Sequence, residues 1–186
     1  MTKVVSGQGA NPAPLGLAGF GMTTILLNIH NAGFFELNTM ILMMGTFFGG
    51  FAQIIAGILE FKKNNTFGMV AFIAYGSFWL TLVGIVVLGQ NGFMVTDKFA
   101  MGWYLAIWGL FSLGMFFGTL KGPRIGQLVF GTLVILFALL AASDFLHSET
   151  LHTIAGFEGI LCGGLALYEA IGLIVNEKHG KQVFPM

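Results

Sequence analysis

Two carboxylic acids, Glu158 and Glu169, stand in a long apolar stretch near the end of the chain, where an ionisable group is costly and normally faces protein or water. They are eleven residues apart, three helical turns, so they share a helix face with Cys162 and Ala166. There they could accept protons that travel with a solute. The alternative is that Glu158 lies toward one membrane surface and Glu169 toward the other, each wetted or hydrogen-bonded. Glu60, close to Lys62, reads as an interfacial charge. A second group, Asp144, His147, Glu149 and His152, offers imidazole and carboxylate donors of the kind that several divalent ions accept. Its spacings of three and five match no zinc signature, so a solvated polar loop is expected and no metal is assigned. No cofactor is expected either, because no histidine sits deep enough to hold haem and the single cysteine, Cys162, can hold neither a cluster nor an internal disulfide.

A different constellation follows from depth. Phe20, Tyr75 and Leu133 lie seven to nine residues into three alternate apolar stretches, about 10–14 Å at 1.5 Å per residue. Gln53, Ser112 and Ala166 reach the same level when counted from the ends of the other three. An aromatic ring, a phenol and a leucine at one level would close a narrow neck by dewetting, with the Tyr75 hydroxyl and Gln53 amide as donors to a passing anion. Each is also an ordinary packing residue when taken alone. The apolar stretches contain no Lys or Arg, the groups that bind carboxylates tightly. Binding along such a path would rest on hydroxyls, amides, aromatic edges and helix dipoles, and weak multi-site binding favours conduction.

Composition dictates the elements that must position these residues. With 56% hydrophobic and only 9% charged residues, 28 glycines and a mean hydropathy of +0.86, the chain cannot clothe a water-soluble globule in polar surface. Six apolar stretches, at about 13–31, 38–60, 67–90, 99–120, 125–143 and 151–175, are long enough to cross a bilayer as helices. They are continuously apolar, without the alternation of a membrane barrel. The fold class is therefore an all-α membrane protein with six transmembrane helices. The first sixteen residues, with one lysine and no apolar run, lack the build of a cleavable signal, so Leu15 onward is expected to stay as the first span. The domains read as a flexible N-terminus over 1–10, a transmembrane domain over 11–176 and a C-terminal tail over 177–186.

Lys3, Lys62, Lys63, Lys121, Arg124, Lys178 and Lys181 fall on one side of six spans and Lys98 alone on the other, which puts both termini in the cytoplasm. A formal net charge of zero gives no electrostatic reason to bind nucleic acid. The spans suggest three hairpins. Two faces of small residues, Gly45-Gly49-Gln53-Gly57 and Gly159-Gly163-Ala166-Ala170, would let helices approach closely, either within a subunit or between subunits.

The chain's ordered part opens on Asn11-Pro12-Ala13-Pro14-Leu15-Gly16-Leu17, with prolines suited to a first helical turn and Asn11 suited to cap it. As a whole this stretch resembles the signature of the acetate uptake transporter family, whose bacterial members are succinate-acetate permeases. Gly19–Asn31, Asn64–Leu82 and Met115–Gly122 are similar to that family too. The resemblance implies a permease or anion channel of the plasma membrane, a bacterial inner membrane in this case, passing acetate and also succinate, and not an enzyme. It implies a homohexamer with a pore in each subunit, a constriction at Phe20, Tyr75 and Leu133, and a selectivity position at Ala166. The substrate path on this reading takes in Asn11, Thr24, Gln53, Trp79, Ser112 and Ala166, with Glu158 and Glu169 as the candidates for proton coupling. The alternatives are a proton-coupled monocarboxylate symporter and, below it, an intramembrane metal-binding protein or enzyme built on Asp144, His147, Glu149 and His152.

Overall fold

The computed structural model describes residues 9–186. Lys3 and nearly all of the expected N-terminal segment lie outside the described residues. Among the described residues six helices are long and apolar enough to span a membrane: α1 (Ala13–Asn31), α2 (Thr39–Lys62), α3 (Thr66–Gln90), α4 (Lys98–Thr119), α5 (Arg124–Phe145) and α6 (Glu149–His179). Among the described residues there is no strand, as a lipid core requires of any segment that cannot close into a barrel, since a helix alone satisfies its own backbone. Short polar caps set the ends. Asn38, Asn65, Asp97 and Ser148 accept the first free N–H groups of α2, α3, α4 and α6, and Gly180, at φ +62°, closes α6 in the left-handed conformation that glycine adopts freely.

The spans expected from the sequence agree with the helices to within a few residues, except that α6 continues to His179. Its last turn is polar, so hydropathy does not report it. Beyond Gly180 the chain folds back on α6 instead of forming a separate tail. Asn176 Oδ1 accepts the N–H groups of Val183 and Phe184, at 2.6 and 2.8 Å, and the Tyr168 hydroxyl donates to the Pro185 carbonyl at 2.9 Å.

Even span number places both ends of the described chain on one side, with Lys62, Lys63, Lys121, Arg124, Lys178 and Lys181. The positive-inside rule makes that side cytoplasmic. Lys98, on the opposite side, pairs with Glu149 at 3.1 Å.

The hairpin expectation is corrected by the packing. The closest backbone approach joins α1 to α6, the first span to the last. A Cβ on Gly21 would meet the Gly163 carbonyl oxygen at 2.7 Å and the Leu167 nitrogen at 2.8 Å, so only glycine allows that approach. Both small-residue faces therefore meet partners within one chain: Gly159 and Gly163 face α1, while Gly45, Gly49 and Gly57 face α3. By contrast, α3 and α4 stand apart, bridged by aromatic side chains such as Phe78 on Trp108 and Tyr104. Seams of both kinds close the six helices into a ring.

Within α2, residues Met44–Ala52 form a wide-turned π-helix, a rare form that is frequently found at functional sites. Its glycines open a groove for the Trp79 indole: a Cβ on Gly49 would lie 2.8 Å from Trp79 Cγ.

Candidate functional site

Two cavities enter the ring from opposite sides, and each is lined by all six helices. The cytoplasmic one, of about 260 Å³, includes Ala13, Gln53, Asn65, Thr119 and Glu169, and ends at Phe20, Tyr75 and Leu133. The external one, of about 240 Å³, includes His30, Asn31, Asp144 and His152 near the surface and ends at Phe78, Trp79 and Leu105. Tyr75 and Phe78 are three residues apart on α3, about 4.5 Å along the axis. One helical turn of closed protein separates the cavities.

Phe20, Tyr75 and Leu133 are thus brought together, as the depth count anticipates, from α1, α3 and α5. All three are buried, and the Phe20 and Tyr75 rings lie 5.9 Å apart. Phe78, one turn beyond Tyr75, packs edge-on against Phe137 and Trp108 and makes the outer half of the barrier. The sequence count missed it because it stops at one level, whereas a dry barrier has thickness.

Three polar atoms in this zone are buried and have no hydrogen-bond partner: Gln53 Oε1, Thr24 Oγ1 and Trp79 Nε1. Thr24 lies one turn outward of Phe20 on α1, and Trp79 one turn outward of Tyr75 on α3. Gln53 lines the cytoplasmic cavity and Trp79 the external one. Buried polar groups are normally paired, and each orphan costs roughly 1–3 kcal/mol. Two of the three, the Thr24 hydroxyl and the Trp79 indole N–H, are donors and could replace part of an anion's hydration there, whereas Gln53 Oε1 can only accept.

Other expected path residues sit differently. Ser112 is fully buried and lines neither cavity; its hydroxyl bonds the Trp108 carbonyl and the Tyr75 hydroxyl. With that bond made, Tyr75 has no free proton for an anion, contrary to the expectation from its type. Ala166 is sealed in the core and likewise lines neither cavity. Asn11 faces a separate surface groove with Pro14, Ile174 and Lys178, and its Oδ1 accepts the Ala13 N–H at 3.3 Å. Its place is at the start of α1 and not along the cavity wall.

The two candidate proton groups separate. Glu169 lines the cytoplasmic cavity. Glu158 lines neither, and both its carboxyl oxygens are buried without a partner. Glu60 departs most from its sequence reading: it is 2% exposed rather than interfacial. Its Oε2 accepts the Asn65 Nδ2–H at 2.7 Å, and Asn65 Oδ1 in turn accepts the Gly68 N–H at 3.1 Å. Gly68 is needed there, since a Cβ would come within 2.6 Å of Asn65 Nδ2. The short loop between Lys62 and Thr66 folds the end of α2 over the start of α3, which burial patterns in sequence do not reveal.

Of the external acids and histidines, Asp144 and His152 line the cavity, Glu149 turns to Lys98, and His147 holds a tight turn at φ +49°. Among the described residues no three His, Cys, Asp or Glu side chains converge as metal ligands would. Cys162 is fully buried and directs its thiol at the Val129 carbonyl at 3.7 Å.

Comparison with known proteins places this geometry. The profile of the GPR1/FUN34/yaaH family matches residues 1–185. The succinate-acetate/proton symporter SatP of Escherichia coli K12 is 54% identical over 178 residues, covering 95% of each chain. The acetate permease A of Emericella nidulans is 28% identical over 197 residues, covering 95% of this chain and 65% of that one. A solved structure described as the bacterial acetate channel SatP superposes with a TM-score of 0.95 at 53% identity, covering 96% of this chain and 99% of that one.

Proposed function

Since this chain belongs to the GPR1/FUN34/yaaH family, we propose that it is a multi-pass permease of the plasma membrane that carries acetate, and more slowly succinate, through its own six-helix ring. It is a transporter and not an enzyme. The observation that carries this reading is the pair of cavities lined by all six helices that stop on either side of Phe20, Tyr75 and Leu133. The membership accords with the resemblance read from Asn11–Leu17.

The chemistry follows from the lining. An acetate ion entering the cytoplasmic cavity meets no Lys, Arg or His among the described residues of its walls, so it is held weakly and leaves readily. At the neck it must shed water. Burying a bare carboxylate is prohibitive, whereas one whose oxygens find donors is tolerable. The Trp79 indole N–H and Thr24 hydroxyl are donors without partners in the barrier, and the Gln53 amide stands at its cytoplasmic side. Succinate carries a second carboxylate through the same turn of dry protein, and pays that desolvation twice. Phe20, Tyr75 and Leu133 set the width.

Proton coupling is a second reading, favoured by one observation: Glu169 is a carboxyl on the cavity wall within the membrane span. In that version the acid crosses the neck neutral and gives its proton to Glu169 on the cytoplasmic side. Assembly as a homohexamer is part of the proposal and rests on the family resemblance; the large apolar side chains exposed on α2 and α4, Phe47, Ile55, Trp103 and Leu110 among them, would face either lipid or a neighbouring subunit. Purified protein in liposomes should take up labelled acetate well above empty liposomes. No uptake would defeat the transport reading, and luminal acidification that tracks uptake would decide for coupling over a pure anion conductance.

A further inference from the structure

The side chain held most firmly in the barrier is Tyr75. Its ring is flanked by Phe20 at 5.9 Å, Phe111 at 5.7 Å, Trp108 at 6.1 Å and Phe130 at 6.1 Å between centroids. Its hydroxyl lies 2.9 Å from Ser112 Oγ, and Ser112 Oγ lies 2.8 Å from the Trp108 carbonyl oxygen. A serine hydroxyl has one proton. A carbonyl can only accept, so that proton goes to Trp108, and the proton in the Tyr75–Ser112 bond must come from the phenol. Tyr75 therefore gives its proton away from the path, across the aromatic seam between α3 and α4.

We infer that Ser112 is a positioning residue for permeation: it fixes Tyr75 as an immobile wall of the neck and withholds the phenol proton from the substrate, keeping the neck's hold on a carboxylate weak. This rests on the neck being the permeation path. By the same geometry, any widening that lets an acid pass is made by the partners that lack a polar tether, Phe20 and Leu133.

Removing the acceptor inverts the situation. In Ser112→Ala the phenol is orphaned in a dry site and loses the tether that turns it away from the path, so a carboxylate entering the neck becomes the acceptor it can turn toward. One added hydrogen bond of ordinary strength tightens binding about two- to tenfold. Uptake by Ser112→Ala in liposomes should therefore show an acetate KM lower by that factor, with the maximal rate lowered as release slows. Tyr75→Phe has no proton to redirect, so adding Ser112→Ala to it should shift KM by less than about twofold, the behaviour of residues that act through one another. Ser112→Thr, which keeps a hydroxyl, should restore the wild-type KM. A packing defect would instead depress the amount of folded protein or the maximal rate in both backgrounds alike.

A second readout is independent of transport. The ultraviolet Raman doublet of tyrosine reports whether the phenol donates, and of the three tyrosines only Tyr75 is bonded to Ser112. The wild-type minus Ser112→Ala difference should show one phenol losing its acceptor, and the difference should vanish in the Tyr75→Phe background. An unchanged or raised KM in Ser112→Ala, or an equal shift in the Tyr75→Phe background, would overturn the inference. An unchanged doublet would overturn it even if wild-type protein carried no acetate, in which case the transport reading fails separately. If Ser112→Ala does not accumulate, Ser112→Cys, with its weak thiol acceptor, takes its place with the same two criteria.

Discussion

Leu133→Ala is the sharpest trial of the neck. Leu133 is 2% exposed, lies on α5 opposite the Phe20 and Tyr75 pair, and touches the blind end of the cytoplasmic cavity. The substitution removes three carbons from a barrier only about one helical turn thick, so the space gained joins the two cavities instead of remaining a sealed void. One methylene in a fitted apolar passage discriminates by about 1–3 kcal/mol, or roughly 10- to 200-fold. If the wild-type neck fits acetate, propionate and butyrate are disfavoured in steps of that size, and the alanine variant should recover at least one step, about tenfold or more for propionate relative to acetate. Acetate flux itself should be retained or raised, because its barrier falls too. The loss of packing costs folding at most about 2–5 kcal/mol, which folded yield in detergent will report. The assay is competitive uptake of labelled acetate against a series of unlabelled straight and branched monocarboxylates into liposomes of equal protein content. An unaltered substrate profile in folded, active protein would make Leu133 a packing residue and refute the placement of the constriction.

Other outcomes follow from the same geometry. Tyr75→Phe should change the acetate KM by no more than about twofold, because the lost hydroxyl serves Ser112 and not the substrate; a large rise in uptake KM would restore the phenol to the substrate's list of donors. Glu169→Gln should flatten the pH dependence of uptake if the cavity carboxyl takes the proton, whereas Glu158→Gln, away from both cavities, should leave the profile unchanged; equal profiles in both variants and wild type would remove coupling from α6. Pro12→Ala with Pro14→Ala should lower uptake more than membrane insertion, as read by flux per inserted protein, since the span's apolar residues are untouched. Gly21→Ala drives a methyl into the backbone of α6 and should cost about 1–3 kcal/mol, visible as a loss of folded monodisperse protein, while Gly164→Ala, with open space around it, should be neutral.

How much of this is legible in the sequence depends on the kind of information. Hydropathy and turn chemistry are local, and they give six spans to within a few residues of the helices, save the polar last turn of α6. Depth is nearly local in a membrane, because every span crosses the same slab; that is why Phe20, Tyr75 and Leu133 were placed on one level from three separate stretches. Azimuth is not local. Whether Gln53 or Ser112 faced the path depended on how α2 unwinds through its π-helical glycines and how α4 leans away from α3, neither of which has a period that one helix can display. Glu60 failed for a related reason: its nearness to Lys62 suggested a surface, but the loop bringing Asn65 over it made an interior.

Among the described residues neither Lys nor Arg lines either cavity of the proposed path. In a water-filled protein site, selectivity for a carboxylate usually comes from charge, and the cost is slow release. Among the described residues the only charged group on the cytoplasmic cavity wall is an acid, Glu169, and the polar groups in the barrier are neutral. On the proposed path, neutral donors would discriminate through geometry and through the size of the hole they surround, not through long-range attraction, so the neck would hold a carboxylate weakly. The same arrangement explains why the tethered phenol matters. Trp79 and Thr24 already offer free donors one turn outward; a further one at the level of Phe20 and Leu133 would tighten the hold on a carboxylate, and the Tyr75–Ser112–Trp108 relay keeps that donor occupied within the wall.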